Sequence, residues 1–144
     1  MGTIMDTNLT TEYKAELQRM IDKGAVHMRA QGKVCVGVLG SCEYRADDGS
    51  KCFIGSLIED EHYTADIEGN SIASKPTHEG ASVVEALERS GYTLDGIIEP
   101  LNTAQWRLHD LLEHDSDFPA AFEAALISYC SDYGINYTTP AVTT

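Results

Sequence analysis

The side chains best suited to chemistry crowd into one stretch, Cys42 to Gly69. It holds Cys42, Tyr44, Arg45, Asp47, Asp48, Lys51, Cys52, Asp60, Glu61, His62, Tyr63, Asp66 and Glu68. Thiols, phenols, carboxylates, an imidazole and a guanidinium could serve a nucleophile, an acid–base pair, an anion contact or a metal. Each option has requirements that can be checked against spacing. A reactive Cys42–Cys52 pair needs electropositive surroundings to generate thiolate. Arg45 and Lys51 are the local cations, but the net field of the chain is strongly negative. Structural zinc sites pair their ligands closely, as in C-x2-C; here Cys42 and Cys52 stand ten apart, and Cys35 and His62 would have to complete the set. Asp60, Glu61 and His62 are consecutive, and consecutive residues on a helix point to different faces. They are expected to be solvated charge. Arg45 is expected to fork onto Asp60, Glu61 or Glu68 and lock the loop, with an anion contact as its rival role.

Other imidazoles are equally plain. His27 lies beside an apolar helical stripe and reads as a partly buried structural group. His109, on a helix face, is expected to hydrogen-bond a nearby loop, and neither His109-Asp110 nor His114-Asp115 has a G-x-S-x-G elbow to serve. There is no Walker loop, no G-x-G-x-x-G and no H-E-x-x-H. The expectation is no catalytic residue, no cofactor and no metal. Enzymatic activity is left open, with a non-enzyme favoured.

The elements that must position these groups are mostly helical. From Thr10 to Gln31, Tyr13, Leu17, Met20, Ile21, Gly24 and Met28 repeat at helical spacing, and Gly32 is a natural stop. Val34, Val36 and Val38 alternate, predicting a short extended segment weakened by Gly37 and Gly40. Ala46 to Gly49 reads as a turn. Residues 51–58 fit either a strand pairing back on 42–45 or a short helix, the helix being slightly favoured. Residues 64–80 are loop. Ala81 to Ser90 is a short helix with Val83, Val84 and Leu87 inward. Pro100 opens a helix with a buried stripe of Leu101, Ala104, Leu108, Leu111 and Leu112. Asp117 caps a last helix with Phe118, Phe122, Ala125, Leu126 and Tyr129 inside, ended by Gly134. Trp106 falls off its stripe, where it covers a loop or stands at an interface. The predicted fold is mostly α, about four helices with a small extended or hairpin element. It forms a single domain over 10–135 between a flexible N-terminus, 1–9, and a flexible tail, 136–144. Four cysteines without a secretory pattern read as free thiols, and Cys52 and Cys130 as small buried apolar residues.

Charge excludes partners. The chain has 144 residues, 10 Lys+Arg and 23 Asp+Glu, for a formal net charge of −13. Direct nucleic-acid binding needs cations that are lacking, and a polybasic membrane anchor is excluded too. From Gly91 onward Arg107 is the only Lys or Arg, against Asp95, Glu99, Asp110, Glu113, Asp115, Asp117, Glu123 and Asp132, a net −7 over 54 residues. Such a surface speeds encounter with basic partners. Solubility alone is the competing explanation.

The string C-x-Y-R-x-x-D-G-x-K-C-x-x-G-x-L-I-x-D-E-x-Y-x4-E-G, here Cys42 to Gly69, resembles a widespread family of small uncharacterised proteins from bacteriophages and prophages. The same family often carries H-x-x-x-Q-G at the end of its first helix, matched by His27, Gln31 and Gly32. It often ends with L-x-x-L/H-D, F and Y-G-L/I, matched by Leu101, Leu108, His109, Asp110, Phe118, Phe122, Tyr133, Gly134 and Ile135. Members commonly have a second Cys and a Pro where this chain has Ser56 and Glu59, so no role for that Cys carries over. The resemblance implies an origin and no mechanism. It marks Cys42, Tyr44, Arg45, Asp48, Gly49, Lys51, Cys52, Gly55, Asp60, Glu61, Tyr63, Glu68 and Gly69 as a structural motif.

Two functions are expected from different classes. The first is a small acidic phage or mobile-element accessory protein in the host cytoplasm. It would bind a basic or nucleic-acid-binding host protein through Asp110, Glu113, Asp115, Asp117 and Trp106, in the extreme as an acidic mimic that inhibits a nucleic-acid-targeting defence system. The second is a small-molecule- or metal-binding protein or enzyme with its site in Cys42–Gly69. Trp106 and the Tyr-rich last helix are the candidates for a homodimer contact.

Overall fold

A computed structural model of the chain describes residues 11–35, 44–68, 82–113 and 116–140. Four α-helices stand among the described residues: α1 Thr11–Gln31, α2 Val83–Arg89, α3 Ile98–Leu108 and α4 Phe118–Tyr133. They pack into one mostly α body, and none is long and apolar enough to cross a membrane.

The helix ends follow from local chemistry. α1 stops at Gly32, whose φ of +73° suits a residue without Cβ. Ser82 caps α2, its hydroxyl accepting from the Glu85 amide at 3.1 Å. Asp117 caps α4 by accepting from Ala120, and Gly134 closes it at φ +70°. α3 begins at Ile98, slightly before Pro100, and breaks at His109. That break corrects one expectation. Leu111 does not continue the buried stripe, because the 3₁₀ turn Asp110–Leu112 re-aims the side chains; Leu111 is 58% exposed while Leu112 stays inside.

The core is built from facing stripes. α1 contributes Leu17, Met20, Ile21 and Met28, α3 contributes Leu101, Ala104 and Leu108, and α4 contributes Phe118, Phe122, Leu126 and Tyr129. The middle of the chain adds Phe53, Ile54, Leu57 and Ile67. Phe53 seats against Gly24 of α1, where any Cβ would collide with its ring. The centre of the molecule is therefore made by the short irregular segment as much as by the helices.

That segment is both of the things its sequence allows. Arg45 and Lys51 form an antiparallel bridge, supported by the Ala46 amide to the Ser50 carbonyl at 3.0 Å and the Cys52 amide to the Tyr44 carbonyl at 3.2 Å. Gly49 supplies the positive φ of the intervening turn. Immediately afterwards the Ser56 amide bonds the Cys52 carbonyl, opening a helical turn that runs into the 3₁₀ turn Gly55–Leu57. The slightly favoured helix over 51–58 is thus corrected to a hairpin that becomes a single turn of helix. Two more 3₁₀ turns, Asp60–His62 and Ala65–Ile67, complete the stretch. The expected alternation at Val36 and Val38, the N-terminal residues 1–9 and the last residues 141–144 lie outside the described residues. Residues 136–138 lie along the helices. Asn136 exchanges two hydrogen bonds with Gln18, and the Thr138 hydroxyl reaches Asp22.

Candidate functional site

Glu68 is the hub of the motif. Its two carboxylate oxygens accept the Tyr44 amide at 2.9 Å, the Arg45 amide at 3.1 Å and the Tyr63 hydroxyl at 2.6 Å. A carboxylate holding two consecutive backbone N–H groups acts as a substitute for a missing strand partner. Arg45 then crosses the segment. Its guanidinium meets Asp60 at 2.7 Å and donates to the Ile58 carbonyl at 2.6 Å. It lies 4.6 Å from the centroid of the Tyr63 ring, a cation–π contact on the face of the group that Glu68 holds. Lys51 adds a longer contact to Asp60, 3.6 Å. Those two cations, Lys51 first, hold the Asp60 carboxyl below its usual range. Of the three carboxylates named as partners for Arg45, Asp60 takes the side chain, Glu68 takes the backbone amide, and Glu61 turns elsewhere.

A second set of bonds ties this hairpin to α1. The Gln31 amide donates to the Lys51 carbonyl at 2.9 Å and accepts the Lys51 amide at 2.8 Å. It thereby copies the two-way pairing of a strand neighbour. His27, one turn earlier, meets the same Gln31 oxygen at 2.8 Å. Asp48 closes the turn, accepting the Ser50 amide and hydroxyl, and pairs with Lys33 at 2.8 Å.

The third tie runs to α3. His109 is fully buried. Its Nε2 stands 2.7 Å from the Cys35 amide and must accept, so Nδ1 carries the proton and donates to Asp110 at 2.9 Å. Asp110 also accepts from the Gln105 side chain, whose oxygen accepts the Ile54 amide. Both imidazole nitrogens are engaged with groups of the protein itself. Nothing in residue type or spacing separates Gln105 from a solvated helix face, so sequence reasoning misses it; Gln31 is found only through the resemblance, whereas His109 makes the loop hydrogen bond expected of it.

The thiols are equally closed off. Cys52 is buried with its sulfur accepting the Gly55 amide, and burial pushes its pKa far above the ordinary thiol. Burial likewise pushes Cys130 up to about 11. Neither environment supports a thiolate nucleophile. A shallow groove of about 340 Å³ lies over the hairpin, lined by His27, Gln31, Lys33, Asp48 and Ser50. Its polar groups already bond one another. Cys42 and Gly69 lie outside the described residues.

The 3₁₀ turn at Asp60–His62 corrects the reading of its neighbours. With three residues per turn, positions three apart stack. Glu59 and His62, three apart, therefore face each other, and the Glu61 carboxylate reaches the same imidazole: the donor atoms of the three lie within 4.8 Å of one another.

The expected acidic docking residues are distributed differently from their sequence order. Asp110 is engaged by His109 and Gln105, Asp117 caps α4, and Glu113 is half-buried. Asp115 lies outside the described residues. Trp106 is 57% exposed among the described residues. Glu123 and Asp132 pair with Arg29 and Arg107. Glu88, Asp95 and Glu99 are exposed and make no ion pair among the described residues. They sit on α2, on the loop after it and on the first turn of α3. Gly96 of that loop packs on Tyr13, which places Glu12 and Asp95 each one residue from the same contact.

Comparison with known proteins finds no match: no family model, no curated protein and no solved structure is similar to this chain. The likeness to phage proteins rests on the motif residues quoted above.

Proposed function

We propose that this chain is a non-enzymatic binding protein whose acidic exterior docks a basic partner, in the manner of a small phage-encoded accessory factor acting in the host cytoplasm. One observation carries the reading: most of the cations among the described residues pair with carboxylates of the chain itself, while a carboxylate surplus faces outward. Arg19, Arg29, Lys33, Arg45, Arg89 and Arg107 each pair with a carboxylate of the chain itself. The net charge of −13 leaves a surplus of exposed carboxylates, Glu88, Asp95 and Glu99 among them. Desolvating a carboxylate already paired to a neighbouring cation gains little on docking; an unpaired one gains a partner. The groups that could have done chemistry bond to one another instead of lining a cleft, and this supports a binding role over catalysis. A partner that ordinarily holds nucleic acid has the matching cationic surface. Carboxylates would occupy its phosphate positions, which is the acidic mimicry expected from the charge.

The test is capture from host lysate by the full chain and by the triple variant Glu88→Gln, Asp95→Asn, Glu99→Gln. The expected partner is retained at low salt, released as ionic strength rises and by duplex DNA, and not held by the variant. Capture indifferent to salt, or equal capture by the variant, contradicts the proposal.

A further inference from the structure

Glu59, Glu61 and His62 form a donor set that the acidic docking surface does not explain. The His62 Nε2 atom lies 3.4 Å from a Glu61 oxygen and 4.0 Å from a Glu59 oxygen. The imidazole is three-quarters buried, and the two carboxylates reach past it into solvent. The charge between them asks for a counterion. Arg45 and Lys51, the cations of this region, are drawn to Asp60, the residue in between, which faces the hairpin. Among the described residues, Glu59 and Glu61 have no Lys or Arg partner. Two carboxylates and an imidazole are thus held together with no Lys or Arg among the described residues to join them.

The turn is also fixed in advance. The Glu59 amide donates to the Ser90 hydroxyl at 2.9 Å, and that hydroxyl is anchored on the Ala86 carbonyl of α2. The His62 and Tyr63 amides close the turn onto the Glu59 and Asp60 carbonyls. Asp60, clamped by Arg45, stops the turn from unwinding. Holding ligands on a braced turn lowers the ordering cost of coordination.

We infer that Glu59, Glu61 and His62 form a surface site for a first-row divalent cation of the zinc type, bound through one imidazole nitrogen and two carboxylate oxygens. Zinc bonds to nitrogen and oxygen are about 2.0–2.2 Å, so adjacent donors in its shell stand roughly 3–3.5 Å apart. The His62–Glu61 spacing already matches, and Glu59 needs only a rotamer adjustment. Three protein ligands leave the remaining positions to water or to a donor from a partner. Mixed nitrogen and oxygen donors select zinc, cobalt or nickel over calcium and magnesium, which prefer all-oxygen shells. The inference stands apart from the acidic docking surface, since Glu88, Asp95 and Glu99 take no part in it.

The probe is Co2+ added to the metal-free full chain, with calorimetry for affinity and amide NMR for location. The expected result is one equivalent bound, with paramagnetic shifts centred on residues 59–63. Glu61→Gln, a surface substitution, and His62→Ala, which removes a largely buried ring, weaken binding by about tenfold or more each, whereas Glu88→Gln leaves it unchanged. Shifts centred elsewhere, no binding at millimolar Co2+, or equal affinity in the His62→Ala chain would overturn the assignment. Circular dichroism of the variants separates loss of ligand from loss of fold.

Discussion

A residue's chemical capability is decided by what its polar atoms already hold. Arg45, His109, Cys52 and Glu68 are the kinds of group found in active sites, and in this chain each has its bonding capacity turned inward. Part of that was legible. A guanidinium beside Asp60 and Glu68 in a loop-rich stretch has an obvious carboxylate to hold, and a cysteine in the run CFIGSLI reads as apolar filling. What was not legible is which carboxylate goes to side chain and which to backbone, because that depends on where Tyr44 and Arg45 cross the chain. Two consequences belong at this scale. Iodoacetamide at pH 8 should leave Cys52 and Cys130 unmodified in the folded chain and label both in urea; peptide mass spectrometry reads the difference. Rapid native labelling of Cys52 would contradict its burial. The Arg29 hydrogen bond, strengthened by Tyr137 and the Arg29 charge, outweighs burial and holds Glu123 below the ordinary carboxylate range. A carboxyl with a depressed folded pKa contributes stability that is fully present above its unfolded value and is lost as pH falls through the folded one. Arg29→Gln should therefore cost about 1 kcal/mol at pH 7 and close to nothing near pH 2, measured by urea unfolding at both values. An equal loss at both pH values would mean that Arg29 acts by packing and not by charge.

At the scale of elements, the helices were readable because their stripes, caps and stops agree with one another. Leu17 to Met28, Asp117 and Gly134 each say the same thing about their helix. The middle segment was not readable, since seven apolar-rich residues fit either period and only tertiary contacts decide. Gly55 is the position where the decision is made. A Cβ there would collide with the Tyr44 carbonyl oxygen, backbone that cannot swing aside. Gly55→Ala should cost about 1–3 kcal/mol and loosen the hairpin, seen as faster amide exchange at Cys52. Unchanged exchange would mean that the turn and the hairpin pack independently. The run of 3₁₀ turns explains the other failure of element-level reading. One turn, Asp60–His62, brings Glu59 against His62, and a separate one, Asp110–Leu112, follows the helix break at His109 and turns Leu111 outward. Nothing local signals a three-residue repeat inside a charged run.

The whole molecule divides labour between an inward polar knot and an outward negative charge. The knot links α1 through Gln31, the hairpin through Glu68 and α3 through His109, so three distant parts of the chain meet in one connected network. Networks of this kind fix one arrangement more than they add stability bond by bond, and a half-satisfied one is costly. Overall charge was fully legible from composition, but its placement was not. The acids that stand close in sequence, Asp110 to Asp117, include two committed to local structure. Glu88, Asp95 and Glu99, scattered in sequence, remain exposed and unpaired among the described residues. The central claim is that the motif braces the fold. A brace and a functional site respond oppositely to truncation, since groups held for function are often kept at some expense of stability. Equilibrium urea unfolding of Glu68→Ala separates them, because the substitution leaves the Tyr44 amide, the Arg45 amide and the Tyr63 hydroxyl without their acceptor. The account predicts a loss of about 3 kcal/mol with an unchanged dependence on denaturant. A midpoint that stays put or rises would contradict it.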